Sequence, residues 1–498
     1  MDLTKTNRRH NPASGIRGVK KIYMIGIKGV GMTMLAQYLA KNGIEIIGSD
    51  TAETFMTDQV LKKSGIKIIE NFAANNIPSD VDLIIYSTAY NKETNPEVAR
   101  ALSGKIKILT YAEALAQIFN QKYGIAVVGS HGKTTTTAWL GYVLDKAGLK
   151  PNVMVGARVE QFNGNSLVGK SDYLITEIDE YQNKLKYFQP KIVLLNNIEY
   201  DHPDFFPSMA DYQNVFIEFI KKIPSSGFLI ANFDDPIIRK IARVNCRGKI
   251  ISYGISELAD YVAYDIKSLN GKQYFKVKFG AGDDDGEEDF PEGENIYSCL
   301  QENLLGDFSI SLAGQHNISN ALAVIATGIE LGIELRLIRE YLEEFIGTDR
   351  RMQVLGKFKG ATIIDDYAHH PTEILATLKA VRQIYPKSNL RVVFHPHTYT
   401  RTKALFEDFV KSFPEADEVI VLDIYGSARE KQGGVSSEEL VEKIGTRNKE
   451  SGIKQDVKYI STLEECEKYL RENIERGDVV ILMGAGDVFR IGKNLVKE

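Results

Sequence analysis

Apolar residues along this chain come in two alternating rhythms. Residues 21–27 (KIYMIGI) form a near-continuous apolar run, which predicts a buried strand. After a glycine turn, Met32, Leu35, Ala36, Leu39 and Ala40 recur at helical spacing, and Asn42-Gly43 closes that helix with residues that tolerate a left-handed backbone. Strands predicted at IEIIGSD (44–50), DLIIYS (82–87) and KIKILT (105–110) continue the alternation. This first unit reads as a doubly wound α/β domain over 19–120, preceded by a flexible tail at 1–18.

The rhythm restarts at IAVVG (125–129), which runs into GSHGKT, and the next helix buries Leu140, Val143, Leu144 and Ala147 before Gly148. Further buried strands are YLITEI (173–178), IVLLNNI (192–198) and FLIANF (228–233). A β-rich stretch with a turn signal at Asn270-Gly271 follows, giving a central unit over 121–346. The acidic run at 283–294 reads as a solvated loop rather than a cation site. ATIIDDY (361–367), LRVVFHP (390–396), EVIVLDI (418–424), VKYIST (457–462) and DVVILMG (478–484) alternate with helical segments, so 347–498 is a second doubly wound unit.

Composition narrows the functional classes. A chain of 498 residues is too long for one core, and 43% hydrophobic with 26% charged residues is ordinary for a globular protein. The net charge of −5 gives no case for nucleic acid or an anionic membrane. Cys246, Cys299 and Cys466 are far apart and odd in number, which fits a reducing compartment. The basic N-terminus lacks the apolar segment of a signal peptide, and no apolar run reaches the ~18 residues of a membrane span, so a cytoplasmic location is expected.

The candidate chemistry sits where strands end. GSHGKTTTT (129–137) joins a strand to a helix, and its backbone N–H groups can cradle phosphates. Lys133 would reach the terminal phosphates of ATP and Thr134 would bind Mg²⁺. Glu177 in TEIDE and His202 in NNIEYDHPD also end strands, placed to meet those phosphates and complete metal coordination. The other glycine turn, GIKGVG (26–31), with Asp50 at the end of the next strand, suits a diphosphate, a dinucleotide or a structural turn. Asn317 and Asn320 in AGQHNISNALA could hydrogen-bond a base edge or cap a helix. The DDYAHHP segment (365–371) fits a metal site, a ribose- or phosphate-facing loop, or a helix cap. In FHPHTYTRT (394–402), His397 and Arg401 could hold a small carboxylate.

Together these segments resemble the muramyl ligases, ATP-dependent enzymes that build the peptide stem of peptidoglycan. The family's altered P-loop, G-x-[HN]-G-K-[ST]-[ST]-T, matches Gly129–Thr136, and the later signatures follow in order at Glu177–Glu180, Asn197–His202, His316–Asn320, Asp366–Pro371 and Gly484–Asp487. The resemblance implies three α/β domains: Rossmann-like, P-loop ATPase with a mixed sheet, and Rossmann-like again. It implies ATP on Gly129, Ser130, His131, Gly132, Lys133, Thr134 and Thr135, with Asn317, Asn320, Arg351 and Asp366 around the nucleoside. UDP-N-acetylmuramate would bind Gly26, Gly29, Gly31, Met32, Asp50, Ser87 and Thr88. L-alanine would bind Tyr367, His397 and Arg401. Mg²⁺ would sit on Thr134 and Glu177, with a second ion near His202, and His369 or Glu180 would serve as base. Phe394–Thr402 and the absence of lysine at Ile217-Glu218 point to the alanine-adding type. A recycling type, which attaches a ready-made tripeptide, is the alternative. A monomer or homodimer is expected.

Overall fold

The computed structural model describes residues 16, 18–255, 259–269, 271–280, 304–426 and 432–497. Most of the expected tail, the acidic run at 283–294 and Cys299 lie outside the described residues. The chain forms three α/β units, each built on its own sheet. The first sheet, β1 (Lys21–Ile25), β2 (Glu45–Ser49), β3 (Lys67–Ile69), β4 (Leu83–Tyr86) and β5 (Lys107–Thr110), is wholly parallel in the order β3-β2-β1-β4-β5. Strand order reverses between β1 and β4, so the glycine turn after β1 and Ser87 after β4 share the crevice where doubly wound folds bind ligands.

The central sheet has ten strands: β6 (Tyr123–Val128), β7 (Asn152–Val159), β8 (Gly164–Leu167), β9 (Tyr173–Glu177), β10 (Ile192–Leu195), β11 (Phe228–Asn232), β12 (Lys249–Gly254), β13 (Tyr261–Leu269), β14 (Lys272–Phe279) and β15 (Leu304–Ile310). Their order is β15-β14-β13-β12-β11-β10-β6-β9-β7-β8. The middle of the sheet is parallel; β8, β14 and β15 pair antiparallel at its edges. The Asn-Gly signal falls at the β13–β14 hairpin, where Leu269 pairs with Lys272, although Asn270 itself is outside the described residues. Because β6 lies between β9 and β10, three sequence-distant strand ends meet: the loop from Gly129, the acidic segment from Glu177, and the asparagines from Asn196.

The helix Lys133–Lys146 rests on helices Gln315–Glu330 and Leu335–Glu344. Trp139, fully buried, stacks on Phe345 with centroids 5.3 Å apart and donates its Nε1–H to Leu342 O at 3.2 Å. Truncating such a side chain costs about 3–5 kcal/mol, so this packing holds the P-loop's outgoing helix rigid.

The third sheet comprises β16 (Gln353–Phe358), β17 (Ala361–Asp366), β18 (Leu390–Phe394), β19 (Glu418–Val421), β20 (Asp456–Tyr459) and β21 (Val479–Met483), in the order β16-β17-β21-β18-β19-β20. All its pairings are parallel except that of the edge strand β16. Buried on both faces, β17, β18, β19 and β21 are the continuous apolar runs seen in the sequence, while the edge strands β16 and β20 are partly exposed.

Candidate active site

Gly132 precedes the helix at φ +78°, and a Cβ there would lie 2.7 Å from Asn320 Oδ1 and 3.0 Å from Asn196 Nδ2. Only glycine fits both that backbone and that space. Asn197 clamps the loop: its Oδ1 accepts from His131 N at 2.7 Å and its Nδ2 donates to His131 O at 3.2 Å. Ser130 Oγ donates to Glu199 O at 2.7 Å and accepts from Glu199 N at 2.8 Å. The P-loop is thus fastened to the turn after β10. The Lys133 ammonium donates to Gly129 O, to Ser130 O at 3.1 Å and to Glu180 Oε2 at 3.2 Å. Burial opposes its charge, but Glu180, Asp179 and Glu177 outweigh that and hold its pKa above the ordinary value.

Thr134 Oγ1 donates to Glu177 Oε2 at 2.7 Å, and Gly156 N donates to the other Glu177 oxygen. Burial raises the Glu177 pKa against the pull of these donors. His202, at φ +56°, brings its Nε2 to 3.7 Å from Glu180 Oε1. One ligand atom each from Asp179, Glu180 and His202 lies within 4.8 Å of the others. Burial alone would raise Asp179, yet Lys184, His202 and Lys133 hold it below the usual carboxylate range. The hydroxyl, the carboxylates and one imidazole form two neighbouring, oxygen-rich donor groups, a set that fits Mg²⁺. Thr134 stands with Glu177, and His202 stands with Asp179 and Glu180.

The third unit docks onto this site. Helix Pro371–Ile384 is capped by His370, whose Nδ1 accepts from Thr372 N at 3.3 Å. The largely shielded Glu373 carboxylate, its side chain 9% exposed, faces His131 Nδ1 at 3.2 Å, Arg351 Nη1 at 3.5 Å and His369 Nδ1 at 3.4 Å. Burial opposes its ionisation, but the charges of His131 and Arg351 hold it well below the carboxylate range. Burial likewise opposes the His131 charge, yet Glu373 and Glu199 push it up to about 9. Thr372 Oγ1 donates to Glu199 Oε2 at 2.6 Å. A second seam is a forked ion pair: Arg401 Nε donates to Asp201 Oδ1 at 2.8 Å and Nη2 to Oδ2 at 3.2 Å. Arg401 was expected to hold the carboxylate of an amino acid; two of its three nitrogens engage Asp201, and Nη1 lies 3.4 Å from His397 O. His369 approaches Tyr367 O at 3.0 Å and is lowered to about 4 by burial, with Arg401 adding to that, so it is neutral near pH 7. The His397 ring stacks on Tyr425 at 5.7 Å, and the guanidinium groups of Arg350 and Arg351 approach the Tyr367 ring at 4.9 and 5.2 Å from its centroid.

Between the central and third units opens a cleft of about 890 Å³, lined by His131, Gly132, Thr135, Asn317, Asn320, Arg351 and Asp366 among others. These predicted nucleotide residues come together, but several are already engaged. Asn320 Nδ2 donates to Asn317 Oδ1 at 3.2 Å, and its Oδ1 accepts from Thr136 Oγ1 at 3.1 Å. Asn317 Nδ2 donates to Ala313 O at 2.7 Å. The Asp366 oxygens accept from Met352 N at 2.7 Å and Ala368 N at 2.8 Å.

In the first unit Gly26 has φ +78°, and a Cβ on it would lie 2.7 Å from the Tyr90 ring; one on Gly31 would lie 2.8 Å from Tyr111. Gly29 precedes helix Val30–Lys41 with no side-chain cap, and Met32 is buried in that helix. Asp50 Oδ2 accepts from Lys28 N at 2.7 Å, while Oδ1 accepts from Thr51 N at 2.8 Å and Tyr90 OH at 3.2 Å, so this carboxylate braces the glycine turn. Lys28, which sequence reasoning passed over, is 1% exposed and donates to Thr51 O at 3.0 Å and Glu53 O at 2.9 Å. Ser87 Oγ accepts from Ala89 N at 3.2 Å, and Thr88 Oγ1 donates to Gln182 Oε1 at 3.0 Å, tying the first unit to the central one. Glu199, Asp201 and Glu373 were also missed as site residues. The first two stand in the quoted NNIEYDHPD, and Glu373 sits three positions beyond the helix-capping His370.

Three models of one family match the chain in order: the Mur ligase family catalytic domain over residues 21–123, the Mur ligase middle domain over 127–328, and the Mur ligase glutamate ligase domain over 350–486. The chain belongs to the Mur ligase family, whose members are ATP-dependent ligases. Within it, the chain is similar to the UDP-N-acetylmuramate–L-alanine ligase of Alkaliphilus metalliredigens, 40% identical over 96% of this chain and 98% of that protein. It is 37% identical to the enzyme of that name from Desulfitobacterium hafniense, over 95% of this chain and 99% of that protein. The crystal structure of UDP-N-acetylmuramate-alanine ligase from Thermotoga maritima matches with a TM-score of 0.77 at 25% identity, covering 96% of this chain and 98% of that chain. A murein peptide ligase from Psychrobacter arcticus shares the fold, with a TM-score of 0.70 at 23% identity and coverage of 96% and 98%. Among the described residues no helix is long and apolar enough to cross a membrane.

Proposed function

We propose that this enzyme joins L-alanine to the lactyl carboxylate of UDP-N-acetylmuramate, with ATP converted to ADP and phosphate. The observation that carries this reading is the meeting of the P-loop lysine, the acidic strand ends and the third unit's His369 and Arg401 segments at one seam. Full-length similarity to enzymes named for that reaction supports it.

A carboxylate is a poor electrophile toward an amine. Attack of the lactyl carboxylate oxygen on the γ-phosphorus, with ADP leaving, gives an acyl phosphate whose carbonyl carbon is activated. Phosphoryl transfer needs alignment and charge neutralisation more than covalent help. The GSHGKT backbone would hold the phosphates, and Lys133 would exchange its loop carbonyls for phosphate oxygens. Mg²⁺ held by Thr134 with Glu177, and by Asp179, Glu180 and His202, would neutralise charge on the phosphates. The amine of alanine then attacks the acyl carbon, and the tetrahedral intermediate collapses to the amide and phosphate. The amine nitrogen sheds its extra proton on the way. His369 is a neutral imidazole able to take it, and Glu180 is the other candidate acceptor. Arg401 Nη1 with His397 would meet the alanine carboxylate, and Arg351 and Asp366 would border the nucleoside. UDP-N-acetylmuramate would lie along the first unit's crevice, with its diphosphate at the Gly26–Gly31 turn and Ser87 and Thr88 opposite. The three units are taken as 19–120, 121–346 and 347–498. The docked third unit would keep water from the acyl phosphate. ATP and a UDP-sugar as substrates place the reaction in the cytoplasm.

The test is a product mass assay with Mg²⁺-ATP and UDP-N-acetylmuramate, giving L-alanine in one tube and L-Ala-γ-D-Glu-diaminopimelate in another. An alanine-bearing product with stoichiometric phosphate is expected. A product only in the tripeptide tube would overturn the amino-acid assignment and make this a recycling ligase. No product in either tube would overturn the reaction itself.

A further inference from the structure

The proposed reaction uses the backbone of His131 but leaves three side chains at the docking seam without a role: His131 from the P-loop, Glu199 from the turn after β10, and His370 from the third unit. One ligand atom from each lies within 4.8 Å of the others. His131 Nε2 is 3.4 Å from Glu199 Oε2, and His370 Nδ1 is 3.9 Å from the same oxygen. In a tetrahedral zinc site with bonds of about 2.0–2.2 Å, adjacent donor atoms stand about 3.4 Å apart. The first edge already has that spacing; His370 Nδ1 accepts from Thr372 N at the helix cap, so Nε2 is the His370 nitrogen left to bind a metal. The two rings face each other with centroids 4.7 Å apart.

Two further observations point to a ligand. His131 Nε2 and His370 Nε2 are both buried with no hydrogen-bond partner among the described residues, and His370 is only 5% exposed. His131 also carries the Glu373 carboxylate 3.2 Å from its other nitrogen. That carboxylate–histidine arrangement fixes the ring orientation of metal-bound imidazoles.

We propose that His131, Glu199 and His370 form a transition-metal site, best filled by Zn²⁺, that bridges the P-loop and the third unit. Two imidazoles and one carboxylate suit Zn²⁺, whereas Mg²⁺ prefers the hard oxygens at Thr134, Glu177, Asp179 and Glu180. Because one ligand lies in the phosphate-binding loop and another caps the first helix of the docked unit, the metal fastens the seam beside the nucleotide cleft. Zinc there impedes nucleotide exchange and slows turnover.

The test uses the full-length protein in saturating Mg²⁺, so that the oxygen-rich positions are filled. Zn²⁺ affinity is read by competition with a chromophoric chelator, and Co²⁺ is added separately to read the visible spectrum of a tetrahedral site. We expect one Zn²⁺ per chain, with affinity reduced about a hundredfold in Glu199→Gln and in His370→Asn, since even losing an outer-shell partner costs 10–100-fold. Asparagine keeps an acceptor at the helix cap, and circular dichroism checks folding of each variant. Zinc inhibition of the Mg²⁺-ATP reaction should be relieved in the same variants. No binding by wild type, or equal affinity and an equal Co²⁺ spectrum in wild type and both variants, would overturn the proposal.

Discussion

Replacing Arg401 with alanine should open the seam between the central and third units without unfolding either. Arg401 and Asp201 are each 6% exposed at the side chain and bonded through two nitrogens and two oxygens at 2.8 and 3.2 Å. Burial opposes the Asp201 charge, and Arg401 is the largest of the influences that hold its carboxyl well below the usual range. Removing one partner of such a pair strands the other, at about 3–5 kcal/mol. When the third unit swings away both groups meet water, so the whole cost falls on the docked arrangement. At 1.4 kcal/mol per decade, the docking equilibrium shifts by about two to nearly four powers of ten. Arg401→Lys keeps the charge but loses the fork, and should fall between. Native-state hydrogen exchange reads such opening even when the open form is scarce. The amides of 198–202 and 395–402 should exchange faster by that factor, while the sheet amides of β6 and β18 stay unchanged. Unchanged exchange at the seam would refute the reasoning. Equal acceleration in β6 would show that the pair stabilises the fold rather than the docking.

Three further outcomes follow from the geometry. Gly132→Ala puts a Cβ 2.7 Å from Asn320 Oδ1 at φ +78°; it should cost about 1–3 kcal/mol and weaken binding of a non-hydrolysable ATP analogue, read by calorimetry. Asp365 is fully buried and its pKa is pushed up to about 6 by burial, against Arg350 at 3.3 Å. A carboxyl raised in the native state favours folding when protonated, and that contribution is lost as pH rises from 3.8 through about 6. Asp365→Asn should therefore gain on wild type by up to about 3 kcal/mol between pH 4 and pH 7.5 in urea unfolding, and a constant difference would be against it. Cys466 is fully buried, and burial is the main cause that pushes its thiol up to about 12; peptide mass analysis should find it unalkylated at pH 8 in native protein and alkylated after denaturation.

What was legible in the sequence was what local pattern encodes. The P-loop stands out because Gly129, Gly132 and Lys133 belong to one short loop, and Glu177 is placed by the apolar run that ends on it, whereas His202 was expected at a strand end and stands in the loop beyond β10. The runs overshoot the ladders. IVLLNNI reads as strand to 198, but β10 ends at Leu195 because Asn196 leaves it to donate to Thr136 Oγ1 at 3.1 Å. β3 escaped notice because KII is only three residues and opens on a charged lysine, and β7 because Gly156 and Arg158 interrupt its apolar run. The docking contacts were invisible for a different reason. Arg401 and Asp201 are 200 positions apart, and no periodicity links residues on separate sheets. Read alone, Arg401 suggests a carboxylate partner, and the structure supplies one from within the chain.

The packing of Trp139 has a bearing on how this protein is made. Its indole waits for the carbonyl of Leu342, 203 positions downstream. A ribosome adding about 5–20 residues per second needs roughly 10–40 seconds to cover that distance. Throughout that interval the face of the P-loop helix that meets helices Gln315–Glu330 and Leu335–Glu344 lacks its partner, although β7 and β9 can already cover its other side. Asn320, which abuts the loop's glycine, is equally late to emerge. The nucleotide site is therefore among the first features written into the chain and among the last to be completed. The nascent central unit therefore exposes part of its apolar surface while it waits, and slow codons between positions 139 and 342 would lengthen that exposure.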